Sequence, residues 1–317
     1  MRILTGSDLS HRRLPLMSAV SPEPGPTVWL TACSHGDEIG GIVVIQEIFR
    51  VIRRWLRRGS VHAFPLMNPI GFETATRHIP VSSEDLNRSF PGEPTGTLGK
   101  RIAHRIFETI MDSGPALVLD LHHDWIKSIP YALIDSDEGA LPQGARDRTR
   151  EFAQQTGLPV VMDSDVIPSS LSHNLLRREV PALTLELGES YIVNERNVEF
   201  GLGAIWNLLD RLEMTEPQAE RFQYPLVKPS LLEETLRYSD RPFSSRTGIV
   251  RFMTKPGDMV REGQPIARVV NAFGKLMETV RAVGDAIVLG HTDSGVVFPG
   301  MPIMAFGLEP GEKKISP

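Results

Sequence analysis

TVWLTACSHGDEIGGIVVIQEIFRVIRRWL, residues 27–56, is the stretch that decides the fold. It changes its period in the middle. Thr27–Cys33 is a short, apolar, β-branched run, which reads as a buried strand. Ser34–Asp37 follows as a loop. From Glu38 to Leu56 the apolar residues Ile42, Ile45, Phe49, Ile52 and Leu56 recur at helical spacing. A strand that feeds a helix through a short polar loop is half of the repeating unit of an α/β protein. Arg50, Arg53, Arg54, Arg57 and Arg58 belong to the same segment. Their helical spacing makes them a solvated face, not a nucleic-acid surface.

The alternation continues along the chain. Val61–Leu66, Ala116–Leu121, Leu158–Met162 and Pro181–Leu187 read as further strands. Thr97–Met111, Gly144–Gln155, Ser169–Arg178 and Asn194–Leu212 read as helices, the first capped by Thr95 or Thr97 and the third by a serine. Residues 68–94 form a polar loop rich in Pro and Gly, and a loop that long in a compact domain is usually functional. This order predicts an α/β fold with a mostly parallel mixed sheet and helices on both faces. The texture changes after Met214. Residues 216–230 read as a linker, and from Arg241 onward short strands are cut by glycine turns such as Thr247-Gly248, Pro256-Gly257 and Glu262-Gly263. The division expected is a catalytic domain over 1–215, then a linker and a small all-β module over 216–317.

Composition narrows the function. The chain has 317 residues, 41% hydrophobic, with 34 basic and 39 acidic residues and a net charge of −5. That balance gives no overall attraction to nucleic acid or to an anionic membrane. No apolar stretch approaches the roughly 20 residues that span a bilayer, and residues 1–20 lack the apolar core of a secretion signal. Cys33 is the single cysteine, so no disulfide forms within the chain, which fits a reducing compartment. Together these predict a cytoplasmic protein with a buried structural thiol.

Four clusters carry chemistry. His35-Gly36-Asp37-Glu38 lies at a strand end, where an imidazole and a carboxylate can face one point, and both suit zinc. Asp120-Leu121-His122-His123-Asp124 ends another apolar strand. Sites in open α/β sheets form beyond the carboxyl ends of strands, so the two clusters can meet. Spacing does not decide between His122 and His123 as a third ligand, and Asp120 is placed to accept the other ring N–H of a ligand histidine. Glu186 closes the apolar run Ala182–Leu185, and a buried carboxylate there is costly unless it is paired or used, for instance as a general base. The loop supplies Asn68-Pro69, Arg77 and Asp85-Leu86-Asn87-Arg88. There Arg77 can polarise a carbonyl, while Asn87 and Arg88 can hold a substrate carboxylate.

In this order HGDE (35–38), NP (68–69), Arg77 with DLNRSFPG (85–92), DLH (120–122) and LELGE (185–189) resemble the succinylglutamate desuccinylase/aspartoacylase family, a branch of the zinc carboxypeptidase-like fold. The resemblance implies one zinc ion per chain held by His35, Glu38 and His122, and it favours His122 over His123. It implies Glu186 as the catalytic glutamate, Arg77 as the group that polarises the carbonyl, and Asn87 with Arg88 as the carboxylate pair. The substrate implied is a small N-acyl amino acid of the acetyl or succinyl type. Asp37, where many members have Asn, and His123-Asp124 depart from the pattern. Thr247–Ala267 is similar to biotinyl and lipoyl domains in a barrel-sandwich style, but Lys275 lacks the Met-Lys-Met surroundings of a modified lysine. The module would then narrow access to the site or support a homo-oligomer. Two other readings share these features. A peptidase or amidase on short peptides would be told apart by its substrates, and a carrier with a decayed metal site by the absence of bound zinc.

Overall fold

The structure is a computed structural model that describes residues 2–5, 11–138, 141–292 and 295–309. In chain order its strands are β1 (Arg2–Thr5), β2 (His11–Arg13), β3 (Met17–Val20), β4 (Glu23–Ala32), β5 (Arg58–Phe64), β6 (Leu117–His122), β7 (Lys127–Ser128), β8 (Tyr131–Ile134), β9 (Val160–Met162) and β10 (Ala182–Glu186). They continue as β11 (Thr235–Ser239), β12 (Gly248–Phe252), β13 (Met259–Val260), β14 (Pro265–Val270), β15 (Leu276–Arg281), β16 (Ala286–His291), β17 (Val296–Val297) and β18 (Met304–Leu308). The helices are α1 (Gly40–Trp55), α2 (Pro69–Glu73), α3 (Leu98–Met111), α4 (Gln143–Gln155), α5 (Leu171–Leu176) and α6 (Glu195–Arg211).

The main sheet runs β13-β16-β18-β11-β9-β8-β10-β6-β4-β5-β3, with β7 added beside β16. β5, β4, β6 and β10 are mutually parallel, as the alternating strand–helix order predicts. β8 turns antiparallel to β10 and is itself parallel to β9 and β11. Helices cover both faces because strand residues alternate. Val28, Leu30 and Ala32 of β4 and Leu117, Leu119 and Leu121 of β6 pack with Ile45 and Ile48 of α1 and Leu208 of α6. Trp29 and Val118 point the other way, toward Ile106 and Phe107 of α3 and Leu171 of α5. The N-terminus of α3 departs from expectation. Thr97 occupies the cap position without capping the helix; it bonds Glu84, whose other oxygen accepts the Gly99 N–H at 2.9 Å. A carboxylate from the preceding loop does the capping.

The C-terminal third forms two sheets. β15-β14-β12-β17 is the small antiparallel sheet expected there. β11, β18, β16 and β13 instead extend the main sheet beyond β9. The change of texture near residue 215 is therefore not a break in the sheet. Among the described residues no helix is long and apolar enough to cross a membrane.

Candidate active site

Register builds the site in two rows across the sheet. Thr31 of β4 pairs with Asp120 of β6, Asp120 with Thr184 of β10, and Thr184 with Leu133 of β8. One step further, His122 pairs with Glu186 and Glu186 with Tyr131. Side chains two apart share a face. Asp120, His122, Thr184 and Glu186 thus rise from the same side of the sheet, at the strand ends.

His35 and Glu38 reach this point from the turn after β4. Cys33, fully buried with φ +56°, bends the chain out of the strand. His35 Nδ1 lies 2.6 Å from Glu38 Oε1, and His122 Nδ1 lies 2.9 Å from Glu38 Oε2. One donor atom from each of His35, Glu38 and His122 falls within 4.8 Å of the others, and all three residues are buried. Each imidazole is held from behind. His122 Nε2 is 2.8 Å from Asp120 Oδ2, and Asp120 Oδ1 accepts the Thr31 hydroxyl at 2.7 Å. His35 Nε2 is 3.2 Å from Asp85 Oδ1. Those bonds leave both Nδ1 atoms to the common point.

Electrostatics follow the packing. Burial pulls the pKa of His35 and His122 down, but Glu38 with Asp85, and Asp120 with Glu38, outweigh it, so both are raised. Burial opposes ionisation of Glu38, yet the two imidazoles hold its pKa well below the carboxylate range. Two imidazoles around a buried carboxylate are the donor set of a cation site. His123 does not join it. Its backbone N–H donates to Glu38 Oε2 at 3.1 Å, while a Cβ at Gly40 would lie only 2.4 Å from its Nε2. Burial lowers its pKa to about 4.

Glu186, Arg77, Asn87 and Arg88 line one cavity with His35, Glu38 and His122. Glu186 is 8% exposed and its Oε2 has no hydrogen-bond partner. Burial, with Asp124 nearby, pushes its pKa well above the usual carboxylate range. Asp124 accepts the Tyr131 hydroxyl at 2.7 Å and is itself raised by burial to about 7. Arg77 lies 3.8 Å from Glu38 Oε1, and both its Nε and an Nη donate to Asp85 Oδ2. Asn87 accepts the Leu171 N–H through Oδ1 at 3.0 Å, which leaves its amide donors, and the exposed Arg88 donates to the Asn87 carbonyl. Asn68 is not in the cavity wall; its side chain caps α2 by accepting the Gly71 N–H at 2.9 Å. Asp85, which the sequence placed in the loop cluster without a role of its own, gains one here. It ties His35, Arg77 and the Asn87 N–H together. A second opening, lined by Asp37, Trp125, Tyr191 and Thr292 among others, is also bordered by Glu38 and Arg77.

The family model for the succinylglutamate desuccinylase/aspartoacylase catalytic domain matches residues 24–212, more than half of the chain. The chain belongs to this family. It is an enzyme, a hydrolase of amide C–N bonds. A curated relative from Halomonas elongata, N-alpha-acetyl-L-2,4-diaminobutyric acid deacetylase, is 29% identical over 266 residues, covering 80% of this chain and 73% of its own. The fold is shared with a succinylglutamate desuccinylase/aspartoacylase from Rhodobacter sphaeroides, with a TM-score of 0.81, 24% identity, and 97% and 94% of the two chains covered. It is also shared with the product-bound ectoine utilization protein EutE (DoeB) from Ruegeria pomeroyi, with a TM-score of 0.81, 22% identity, and 96% and 92% covered.

Proposed function

We propose that this protein is a zinc-dependent deacylase that hydrolyses the amide bond of a small N-acyl amino acid to the free amino acid and a carboxylic acid. The observation that carries the reading is the convergence of His35, Glu38 and His122 beside Glu186, whose unbonded Oε2 belongs to the same cavity. Two imidazole nitrogens and one carboxylate oxygen are ligands that suit zinc, and Asp120 and Asp85 orient the rings so that Nδ1 is the donor of each. When bound, zinc supplies Lewis acidity, which brings the pKa of water toward about 7 and polarises a carbonyl.

The chain's own groups do the rest. Glu186 takes the proton of the attacking water at its free oxygen and returns it to the amine nitrogen that leaves. Its raised pKa suits a group that must both accept and give a proton near neutrality. Arg77 faces the carbonyl oxygen and stabilises the charge that develops there. The Asn87 amide and Arg88 hold a substrate carboxylate. The chemistry lies on residues 1–215. The rest of the chain contributes wall: Thr292, just past β16, borders the second opening. The substrate named for the Halomonas elongata relative, an N-acetylated diaminobutyric acid, belongs to the class proposed. The single, buried Cys33 fits work in the cytoplasm.

The test is a Glu186→Gln variant assayed on acetylated amino acids. It is expected to keep its zinc, measured by elemental analysis, and to lose about 10²–10⁴-fold in kcat. Undiminished turnover would remove Glu186 as the base. A wild-type protein that purifies without zinc and ignores chelators would remove the metal.

A further inference from the structure

Two openings share the reaction centre. Glu38, Arg77, His123 and Asp124 border both, whereas Glu186, Asn87 and Arg88 border only the first. The strands set this division. The first cavity draws on Thr184, which precedes Glu186 on β10, and on its partner Leu133 of β8. The second draws on residues past the strand ends: Trp125 and Ile126 after β6, Tyr191 after β10 and Thr292 after β16. The carbonyl carbon of an amide carries a nitrogen on one side and an acyl chain on the other. Glu186 serves that nitrogen, and Asn87 with Arg88 hold the carboxylate joined to it, so the amino-acid half occupies the first cavity. Arg77, at the carbonyl oxygen, stands on the border of both, and the acyl chain is left facing the second opening.

Large apolar side chains wall that opening. The Trp125 ring is held in place by its N–H, which donates to the Tyr238 hydroxyl at 3.1 Å. Ile126 is 40% exposed and Tyr191 is 56% exposed. Large apolar side chains left bare around an opening mark a surface that a guest covers. Tyr191 carries a second sign. Its φ is +66°, in the left-handed region that a bulky residue seldom enters. Its N–H donates to the Asp37 carbonyl at 2.8 Å, which ties this conformation to the turn between His35 and Glu38. Strain of this kind is kept where it places a side chain for a task. The opening measures about 310 Å³, on the order of ten times the share of one water in the liquid, so it takes far more than an acetyl methyl. Among the described residues no lysine borders it, and its only arginine, Arg77, already donates twice to Asp85. Asp37 and Asp124 border it as well, so a chain that ends in a carboxylate meets like charge there, and one that ends in methyl groups does not.

We propose that the second opening is the acyl pocket and that Trp125, Ile126 and Tyr191 make it select a neutral, branched aliphatic acyl group longer than acetyl. The direction of the chain rests on the deacylase reading, whereas the apolar preference of the opening does not.

The experiment measures kcat/KM of the zinc-loaded protein on N-acetyl-, N-succinyl- and N-(4-methylpentanoyl)-L-alanine. The last two share one shape, with two methyl groups in place of the carboxylate oxygens. The 4-methylpentanoyl compound is expected to exceed each of the others by roughly 10–100-fold. Tyr191→Asn removes the ring and suits the positive φ, so it is expected to fold as the wild type does and to bring the ratio to the acetyl compound close to one. Ile126→Arg, at an exposed position, is expected to lower the ratio to the succinyl compound by about tenfold or more. Calorimetric binding of 4-methylpentanoate against succinate and acetate reads the same preference without catalysis. If none of the three amides is hydrolysed but 4-methylpentanoate still binds most tightly and Tyr191→Asn abolishes that preference, the apolar opening stands and the deacylase reading falls. With neither hydrolysis nor a binding preference, both fall. A 4-methylpentanoyl compound turned over no better than the other two would overturn the proposal. So would a preference that both variants leave intact, since the chain would then lie elsewhere.

Discussion

At the scale of single residues, Glu38 and Asp85 show how much of this site is built from carboxylates with different tasks. Glu38 lies between two imidazoles that hold it ionised against burial. Asp85 turns one of those imidazoles and fixes Arg77 with its other oxygen. Asp163 does the opposite: it costs stability. Its folded pKa is raised from 3.8 to about 6, so the folded protein binds that proton more tightly than the unfolded chain. The associated stability is complete below about 4 and is lost as pH rises through 6. Asp163→Asn is therefore expected to be more stable than the wild type at pH 7.5, by up to about 3 kcal/mol, with the gain vanishing near pH 4. Urea denaturation at the two pH values measures it, and a variant equally destabilised at both would refute the assignment. His35 and Glu38 were legible as a pair because they stand three positions apart at a strand end. Asp85 stood out only as part of the DLNR loop motif; its bond to His35 was not legible, because it spans 50 positions.

At the scale of elements, the HGDE turn is held in place by what it packs on. Gly36 donates its N–H to the Thr76 carbonyl at 2.9 Å, and a Cβ there would lie 2.0 Å from the Gly71 carbonyl carbon and 2.3 Å from the Phe72 nitrogen. Both are backbone atoms of α2, so neither can rotate away. Gly36→Ala is expected to cost about 3 kcal/mol and to push His35 off the common point. A lowered Tm together with weaker zinc retention, measured by competition with a chelator, checks it; normal zinc retention would show that α2 shifts freely. The strands and helices around this turn were legible from their periods, which is why α1, α3 and α6 lie where the apolar spacing predicts. Short strands such as β3 and β8, four residues each, carry too few alternations to read. The rows Thr31–Asp120–Thr184 and His122–Glu186 depend on register between strands that lie far apart in sequence.

At the scale of the whole molecule, the sheet does not respect the division the sequence suggests near residue 215. That pairing is non-local, so glycine turns and short strands pointed to a separate module, while β11 hydrogen-bonds to β9 through Thr235–Val160, Leu236–Val161 and Arg237–Met162. A shared apolar cluster seals the seam. Tyr131 and Val161 from the first part pack with Leu236, Ile287, Leu289 and Ala305 from the second. Tyr131 is also the residue that bonds Asp124 beside Glu186, so the seam and the reaction centre lean on the same side chain. Removing residues 216–317 would strip β9 of its neighbour, leaving an open, apolar strand edge of the kind that pairs with other chains. It would also expose the buried ring of Tyr131. A fragment of residues 1–215 is thus expected to aggregate and to bind less zinc than the full chain, although it contains all three proposed ligands. Size-exclusion chromatography and elemental analysis of the fragment test this. A monodisperse fragment with the full chain's zinc content would show that the sheet extension only decorates the catalytic part, and that the site needs nothing beyond β10 and α6 to hold its shape.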